Sequence, residues 1–257
     1  MTPYSKQTIP EGKKVYFASD FHLGVNGKHS SFEREKIIIN WLEEIKPTAH
    51  CVFLVGDIFD FWFEYKHAIP KGFVRFQACI AKMVDEGIPV YVFSGNHDMW
   101  MFDYLEKELG VTIFHQTQVF EFNNHVFYIG HGDGLGPKDF IYKFLKLFFR
   151  SALCQWLFAR IHPNLGIGFA KWWSGKSRLS HTETEEKFKG DDEWLLIYCT
   201  EQEQIKHHDY YIFGHRHLPL DLKIGNNGAR YINLGEWVNF YTYASYDGKN
   251  LDLKEYL

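Results

Sequence analysis

Residues 14–22 read KVYFASDFH, a mostly apolar run, rich in β-branched and aromatic residues, that ends in an aspartate and a histidine. A run of this kind predicts a buried strand, and residues two apart in an extended segment point to the same side. Asp20 and His22 would therefore project together just beyond the strand. Four further apolar runs end in polar clusters, and these clusters are Gly56-Asp57, Gly95-Asn96-His97-Asp98, Gly130-His131-Gly132-Asp133 and Gly214-His215-Arg216-His217.

Helical patterns separate the early strands. Ser31–Lys46 begins with a serine and carries an apolar stripe, and Phe73–Glu86 and Asp98–Leu109 each end just before a glycine. Alternating strands and helices predict a layered α/β fold, and ligands of such folds gather at the carboxyl ends of the strands. We therefore expect the five clusters to converge. The predicted strands are Lys14–Ser19, Cys51–Val55, Pro89–Phe93, Val126–Ile129, Tyr210–Phe213 and Arg230–Leu234.

Carboxylates, imidazoles and an amide make up these clusters, and no thiolate occurs among them. This donor set suits a dinuclear site for Mn, Fe, Zn or Co better than a structural zinc–cysteine site. Two ions about 3.5–4 Å apart can clamp a phosphoryl group, and Asp57 is the candidate to bridge them. An isolated D-x-H or H-x-H pattern usually has no function, whereas five such clusters after five strands are hard to obtain by chance.

In their order, the five clusters resemble the calcineurin-like metallophosphoesterase superfamily, and they cover residues 20–217. The resemblance implies a layered metallophosphoesterase sandwich, with β-sheets flanked by helices, and two divalent ions, expected to be Mn²⁺. It implies that one ion is held by Asp20, His22, Asp57 and His217, and the other by Asp57, Asn96, His131 and His215. It also implies a catalytic pair, in which His97 lies beside the phosphate as acid or charge stabiliser and Asp98 orients it.

Two longer motifs narrow the resemblance. GDIFDFW at residues 56–62 and HGDGLGPKD at residues 131–139 resemble the UDP-2,3-diacylglucosamine hydrolases of lipid A synthesis. That resemblance implies hydrolysis of the pyrophosphate bond of UDP-2,3-diacylglucosamine to UMP and 2,3-diacylglucosamine 1-phosphate. Proteobacterial members often carry Arg where this chain has His97. The alternatives are a soluble nucleotide or dinucleoside polyphosphate phosphoesterase, a metal-dependent binding module with a degenerate site, and, least supported, a nuclease.

A basic, aromatic segment lies between the fourth and fifth clusters. Residues 140–182 contain ten aromatic side chains and no Asp or Glu, and the remainder of the chain carries 21 basic and 32 acidic groups, a formal charge of −11. We predict a single domain over residues 1–257 with a helical lid inserted at about 138–182, which holds acyl chains and contacts an anionic inner-membrane surface. The alternative is a helical pair packed on the body. The basic residues are Lys143, Lys146, Arg150, Arg160, Lys171, Lys176 and Arg178.

Candidate substrate contacts extend beyond the metal ligands. Asn96 and His97 are expected to face the phosphate, and Tyr142 and Arg150 are candidates for phosphate or sugar contacts, with plain helix surface as the alternative. The further candidates are Lys176 and Arg178, in a polar group after Trp173, and Trp62, which lines the cleft or belongs to the core.

Composition limits the remaining possibilities. The 257 residues have a formal charge of −4, and 18% of them are aromatic, which excludes a disordered chain and argues against a general nucleic-acid binder. Four cysteines without a C-x-x-C pair are expected to be reduced thiols. The N-terminal residues show no signal peptide, and no long apolar run predicts a membrane span. We therefore expect a cytoplasmic enzyme that associates peripherally with the inner membrane and its acylated UDP-glucosamine substrate.

Overall fold

The computed structural model describes residues 4–137, 140–170, 172 and 187–257. Its strands form two six-stranded sheets. The strands are β1 (Ser5–Gln7), β2 (Lys14–Ala18), β3 (Ala49–Val55), β4 (Val90–Phe93), β5 (Thr112–Phe114), β6 (Gln118–Phe122), β7 (His125–Ile129), β8 (Tyr210–Phe213), β9 (Pro219–Ile224), β10 (Ala229–Leu234), β11 (Thr242–Tyr246) and β12 (Leu251–Glu255).

The helices connect and cover these sheets. They are α1 (Ser31–Ile45), α2 (Val74–Asp85), α3 (Tyr104–Leu109), α4 (Phe140–Arg150), α5 (Ala152–Phe158), α6 (163–170) and α7 (Trp194–Ile205), with 3₁₀ turns at Lys46–Thr48 and Gly190–Asp192. None of the helices in the described ranges is both long and apolar enough to cross a bilayer. All four cysteines are unpaired.

The strand order explains why the polar clusters meet. One sheet runs β12-β11-β2-β3-β4-β5 and the other β1-β6-β7-β8-β10-β9. β2, β3, β4 and β5 are parallel neighbours, as are β7, β8 and β10, so the carboxyl ends within each set share one edge. A bond across the sandwich, from the His215 amide to the Asp20 carboxylate at 3.0 Å, joins the two edges. We call this common border the metal edge.

Apolar side chains fill the spaces between four layers. Aromatic rings from both sheets pack against one another in the middle, where Phe17 stacks on Phe53 with ring centroids 5.0 Å apart and on Phe127 at 5.9 Å. A second cluster lies between the β2–β5 sheet and helices α1 and α2, and a third lies under α7. The predicted layered α/β sandwich is therefore confirmed.

The six predicted strands are present with ends shifted by at most two residues, but the predicted helix Asp98–Leu109 is too long. The helix α3 begins only at Tyr104, because the preceding residues follow two buried carboxylates instead of a helical path. Asp98 accepts the Gly95 amide at 2.7 Å. Glu64, from another part of the chain, accepts the backbone amides of residues 102, 103 and 104 at 2.7, 2.8 and 3.1 Å.

Glu64 is thus a buried anion at the start of α3, where helix amides lack partners inside the helix. We expect Glu64→Ala to lower the free energy of unfolding by about 2–4 kcal/mol, since several amides would lose a charged acceptor. Urea denaturation measures this loss. Glu108→Ala, an exposed position on the same helix, is the control and should change stability little. Equal stabilities of the two variants would contradict this role for Glu64.

Candidate metal centre

The predicted ligands converge at the metal edge in two groups. In one group, the ring nitrogens Nε2 of His22 and His217 lie 3.0 Å apart, and His217 Nε2 lies 3.2 Å from Asp20 Oδ1. In the other, His131 Nε2 lies 3.2 Å from Asp57 Oδ2 and 3.3 Å from the amide oxygen of Asn96.

His215 completes the second group, because its ligand atom and those of Asp57 and His131 all lie within 4.8 Å of one another. Asp57 lies between the two groups, since its Oδ2 is also 4.0 Å from His22 Nε2. The structure therefore brings together all seven residues for which sequence predicted a metal-binding role.

Each aspartate uses its two carboxylate oxygens differently. Asp20 Oδ2 accepts the His215 amide at 3.0 Å, and Asp57 Oδ1 accepts the His97 amide at 2.8 Å. The second oxygen of each faces the imidazoles. Asp20 Oδ1 is buried and lacks a hydrogen-bond partner, although His217 lies within reach. Asp20, His22 and His217 offer ligand atoms that all lie within 4.8 Å of one another, an arrangement that can hold a cation.

The donor chemistry fits divalent ions as well. Imidazole nitrogens and carboxylate oxygens suit Mn, Fe, Zn and Co, and two imidazole nitrogens that face each other can both bind one ion at about 2.0–2.1 Å. The Nδ1 of His131 donates to the Val55 carbonyl at 2.9 Å, which leaves Nε2 as the ligand atom. This hydrogen bond is the outer contact that fixes a metal-binding ring.

Burial and neighbouring charges shift the pKa values of the groups in the centre. Burial alone would raise the pKa of Asp57, but the positive charges of His131 and His97 hold it well below its usual range. Burial favours the neutral ring of His131, yet the charge and hydrogen bond of Asp57 outweigh it and raise that pKa to about 10. For His215, burial and the nearby His131 lower the pKa to about 3, so this ring is neutral and ready to act as a ligand.

The ligand loops have an unusual backbone. Five of the seven predicted ligands have a positive φ, between 44° and 67°, and these are Asp20, His22, Asp57, His215 and His217. Residues other than glycine adopt this region at a cost, and such residues cluster at functional sites. Buried Arg34 supports one loop by donating to the carbonyls of Phe21 at 2.9 Å and His22 at 2.6 Å.

Two glycines permit the close packing of these loops. A Cβ atom on Gly95 would lie 2.1 Å from Asp57 Oδ1, and one on Gly56 would lie 2.4 Å from His131 Nδ1. Both distances are far below van der Waals contact. Gly95 therefore makes room for a ligand that follows the neighbouring strand, and Gly56 makes room for one from the opposite sheet.

His97 has a different partner from the one predicted. Its Nδ1 donates to the Asp60 carbonyl at 2.9 Å and lies 3.4 Å from the Asp60 carboxylate. Both oxygens of Asp98 are occupied by backbone amides, those of Gly95, Ile58 and Phe59, so Asp98 shapes the loop instead of orienting the ring. Burial, together with the charge of Asp57, raises the pKa of Asp98 to about 7.

The residues predicted to contact the substrate lie in different environments. The Tyr142 hydroxyl donates to Asp133 at 2.9 Å, and Arg150 donates to the His115 carbonyl at 2.5 Å. Trp62 is fully buried and donates to Glu64, so it belongs to the core and does not line the cleft. Lys176 and Arg178 lie outside the described residues.

Sequence reasoning missed two features beside the ligands. Asp60, three residues after Asp57, was overlooked although its carboxylate in GDIFD was a visible signal. Glu193 and Arg216 form a buried two-point ion pair, with N–O distances of 2.6 and 3.1 Å, which holds the loop between His215 and His217. A polar cavity of about 290 Å³ opens beside His131 and is lined in part by Ser94, His115, Lys146 and Arg150.

Removal of the Asp57 carboxylate, which lies between the two groups, should affect metal binding in both. We expect Asp57→Ala to lose both ions and all measurable turnover, with a larger drop in affinity than the about 10–100-fold that follows loss of an outer contact. His217→Ala should mainly empty one position. Metal content per chain, measured by plasma mass spectrometry, distinguishes these results, with the exposed Asp252→Ala as control. Two retained ions in Asp57→Ala would refute its bridging position.

Addition of a single methyl group at Gly95 should also weaken metal binding. Gly95→Ala would push against Asp57, and we expect at least about tenfold weaker metal binding with retained secondary structure, since core groups cannot give way by the distance required. The control is Gly168→Ala on α6, where no atom lies within 4 Å of the added Cβ. Metal titration measures the affinity of each variant, and we expect weaker binding in Gly95→Ala alone. Equal affinities would show that the loop moves to accept the methyl group.

Comparison with known proteins agrees with this geometry. The Calcineurin-like phosphoesterase family profile matches residues 13–219. A UDP-2,3-diacylglucosamine hydrolase of Porphyromonas gingivalis is 36% identical over 255 residues, covering 94% of this chain and 97% of that protein. Proteins of the same name from Shewanella pealeana and Actinobacillus succinogenes are 26% and 25% identical, cover 87% of this chain, and are themselves covered over 90% and 92% of their lengths. The chain belongs to the calcineurin-like phosphoesterase family.

Proposed function

We propose that this metal-dependent phosphoesterase hydrolyses the pyrophosphate bond of UDP-2,3-diacylglucosamine to UMP and 2,3-diacylglucosamine 1-phosphate. The main support is the complete set of seven converging ligand residues in a chain that matches a hydrolase of that name over nearly its full length. The basic, apolar insert beside the site supports a lipid substrate. In the reaction, a water oxygen joins the α-phosphorus of the UMP half and the bond to the sugar phosphate breaks.

We propose one metal position for each of the two groups. Asp20, His22, Asp57 and His217 would hold one ion, and Asp57, Asn96, His131 and His215 the other. Bound divalent ions would lower the pKa of a water molecule and withdraw charge from the phosphoryl oxygens. We propose Mn²⁺ because oxygen and imidazole donors without thiolates suit it.

The side chains around the ions have separate tasks. His97 donates through Nδ1 to the Asp60 carbonyl, so its Nε2 can face a phosphoryl oxygen. A ring that is protonated at Nε2 as well would donate to that oxygen and stabilise its charge. The departing sugar phosphate is a weak base and needs little protonation. His97 would therefore act mainly as a charge stabiliser. Asn96 would bind the same phosphate through its amide.

The insert has an exposed apolar face. Ten of its large apolar side chains are between 52% and 77% exposed, namely Phe140, Phe144, Leu147, Phe148, Leu153, Trp156, Leu157, Leu165, Phe169 and Trp172. Solvent exposure of this many large apolar side chains in one segment is typical of a binding surface. We propose that this face forms the lid for the acyl chains and the apolar part of a peripheral contact with the cytoplasmic side of the inner membrane.

The insert is attached to the body by a few contacts. The ring of Phe158 packs on Phe63 and Trp100 with centroids 4.7 and 4.8 Å apart, and Trp100 donates to the Phe149 carbonyl at 2.9 Å. Lys146 pairs with Asp133 at 2.6 Å. These contacts support a lid whose base adjoins the metal centre.

The proposed reaction has a direct test. Purified protein with Mn²⁺ should release UMP from UDP-2,3-diacylglucosamine in detergent micelles, measured by chromatography, and Asp57→Ala should release none. Preference for soluble nucleotides or dinucleoside polyphosphates over the lipid substrate would replace the proposal with the alternative of a soluble phosphoesterase.

Changes in the lid should affect hydrolysis of the lipid substrate and leave hydrolysis of small substrates unchanged. We expect Phe148→Ala combined with Trp156→Ala to raise the KM for the lipid substrate about tenfold or more, because buried contacts of such side chains contribute about 1.5–3 kcal/mol each. Turnover of bis(p-nitrophenyl) phosphate should stay unchanged. Ile205→Ala, an exposed apolar residue on α7, is the control. An unchanged KM for the lipid substrate in the double variant would argue against the lid.

A further inference from the structure

The basic side chains of α4 do not face outward. Lys143 donates to the Gly136 carbonyl at 2.5 Å, and Lys146 contacts both the carbonyl and the carboxylate of Asp133 at 2.7 and 2.6 Å. Arg150 donates to His115. The prediction that these three residues meet an anionic surface is therefore corrected, since their charged ends are used within the protein. The outward face of α4 is apolar.

Another segment carries basic charge that faces outward. Between Glu64 and Asp85 the chain has four basic side chains and no acidic one. Lys66, Lys71 and Arg75 are exposed, and none of the three takes part in an ion pair or side-chain hydrogen bond recorded within the described ranges. We call these three residues the basic patch.

Neighbouring groups reinforce the patch. On α1, the exposed ring of Phe32 lies under Arg75 with 5.0 Å from the guanidinium carbon to the ring centroid, and under Lys36 with 4.5 Å from Nζ. The nearest exposed acid on that helix, Glu33, is occupied by the amide and hydroxyl of Ser30 at 2.9 and 2.8 Å. Glu33 therefore makes its hydrogen bonds within its own helix, and no ion pair joins it to the patch among the described residues.

The position of the patch links it to the insert. Lys66 and Lys71 lie in the loop between β3 and α2, and Arg75 is the second residue of α2. This loop begins at the metal edge, where β3 ends. Tyr65, one residue before Lys66, packs against Phe158 of α5 with centroids 6.3 Å apart, and a Cβ on Gly166 of α6 would lie 2.7 Å from the Tyr65 hydroxyl. The segment that carries Lys66 therefore packs against α5 and α6 of the insert.

We propose that the basic patch is the electrostatic half of a membrane-docking surface and binds the headgroups of an anionic lipid bilayer. The inference rests on the proposed function, because the lipid substrate gives the protein a reason to contact a bilayer. Outward apolar side chains bordered by basic ones match the boundary between acyl chains and anionic headgroups. The remaining body is acidic, so only a local patch can make this contact without repulsion.

The experiment compares two charge reversals of equal size. One variant carries Lys66→Glu and Lys71→Glu, and the control carries Lys223→Glu and Lys249→Glu, two exposed lysines at the opposite edge of the sheets. Binding is measured by co-sedimentation with vesicles of phosphatidylglycerol and phosphatidylethanolamine in about 0.1 M salt. We expect at least about tenfold weaker binding for the first variant and at most twofold for the control. Hydrolysis of bis(p-nitrophenyl) phosphate should be normal in both, which verifies folding.

Several results would overturn the inference. It fails if the patch variant binds anionic vesicles as well as the control does, or if the wild-type protein binds pure phosphatidylcholine vesicles equally well. It also fails if the patch variant keeps vesicle binding and instead loses binding to an oligonucleotide or an acidic peptide. Loss of bis(p-nitrophenyl) phosphate turnover in the patch variant alone would assign these lysines to the fold or the site and would also overturn it.

The micelle assay keeps this inference separate from the proposed reaction. Neutral detergent micelles present the lipid substrate without an anionic surface. UMP release from micelles with unchanged vesicle binding in the patch variant would reject the docking surface alone. Patch-dependent vesicle binding without UMP release would reject the proposed substrate and leave the docking surface supported.

Discussion

Asp57 is the side chain on which the centre depends, because its two carboxylate oxygens have different partners. One oxygen accepts the amide of His97 and fixes the loop after β4, and the other faces His131 from the opposite sheet. Asp20 accepts the His215 amide with one oxygen and faces the His217 ring with the other. The loops that these bonds hold contain five ligands with positive φ values and glycines packed closely against Asp57 and His131. A change in either carboxylate would therefore disturb the loops as well as the charge.

Much of this could be predicted from the sequence, because both the strand runs and the polar residues after them are local signals. The layered fold and the convergence of the ligands followed from the rule that parallel strands end at one edge. The identity of the partners did not follow. Asp98 is adjacent to His97 in sequence, yet the ring donates to Asp60. Both oxygens of Asp98 already accept backbone amides of the surrounding loops.

Two other differences have the same physical origin. Helical spacing in α4 showed an apolar and a basic face but gave no sign of which face meets the body. The lysines turned inward because carbonyls and Asp133 at the metal edge offer acceptors, so the apolar side chains remain exposed. The start of α3 could not be predicted from the local sequence either, because the carboxylate that accepts its amides belongs to Glu64, 40 residues before Tyr104. Local sequence patterns therefore predict helices and strands well, but they do not predict polar contacts between residues far apart in the sequence.

The ligands come from both sheets, and this has a consequence for stability. Asp20, His22, Asp57 and Asn96 follow strands of one sheet, whereas His131, His215 and His217 follow strands of the other. Ions held by both sets would cross-link the two halves of the sandwich, and any ligand that binds only the folded chain stabilises it according to its concentration and affinity. Metal supply would then govern the lifetime of the folded protein, and chelation would expose it to unfolding and proteolysis.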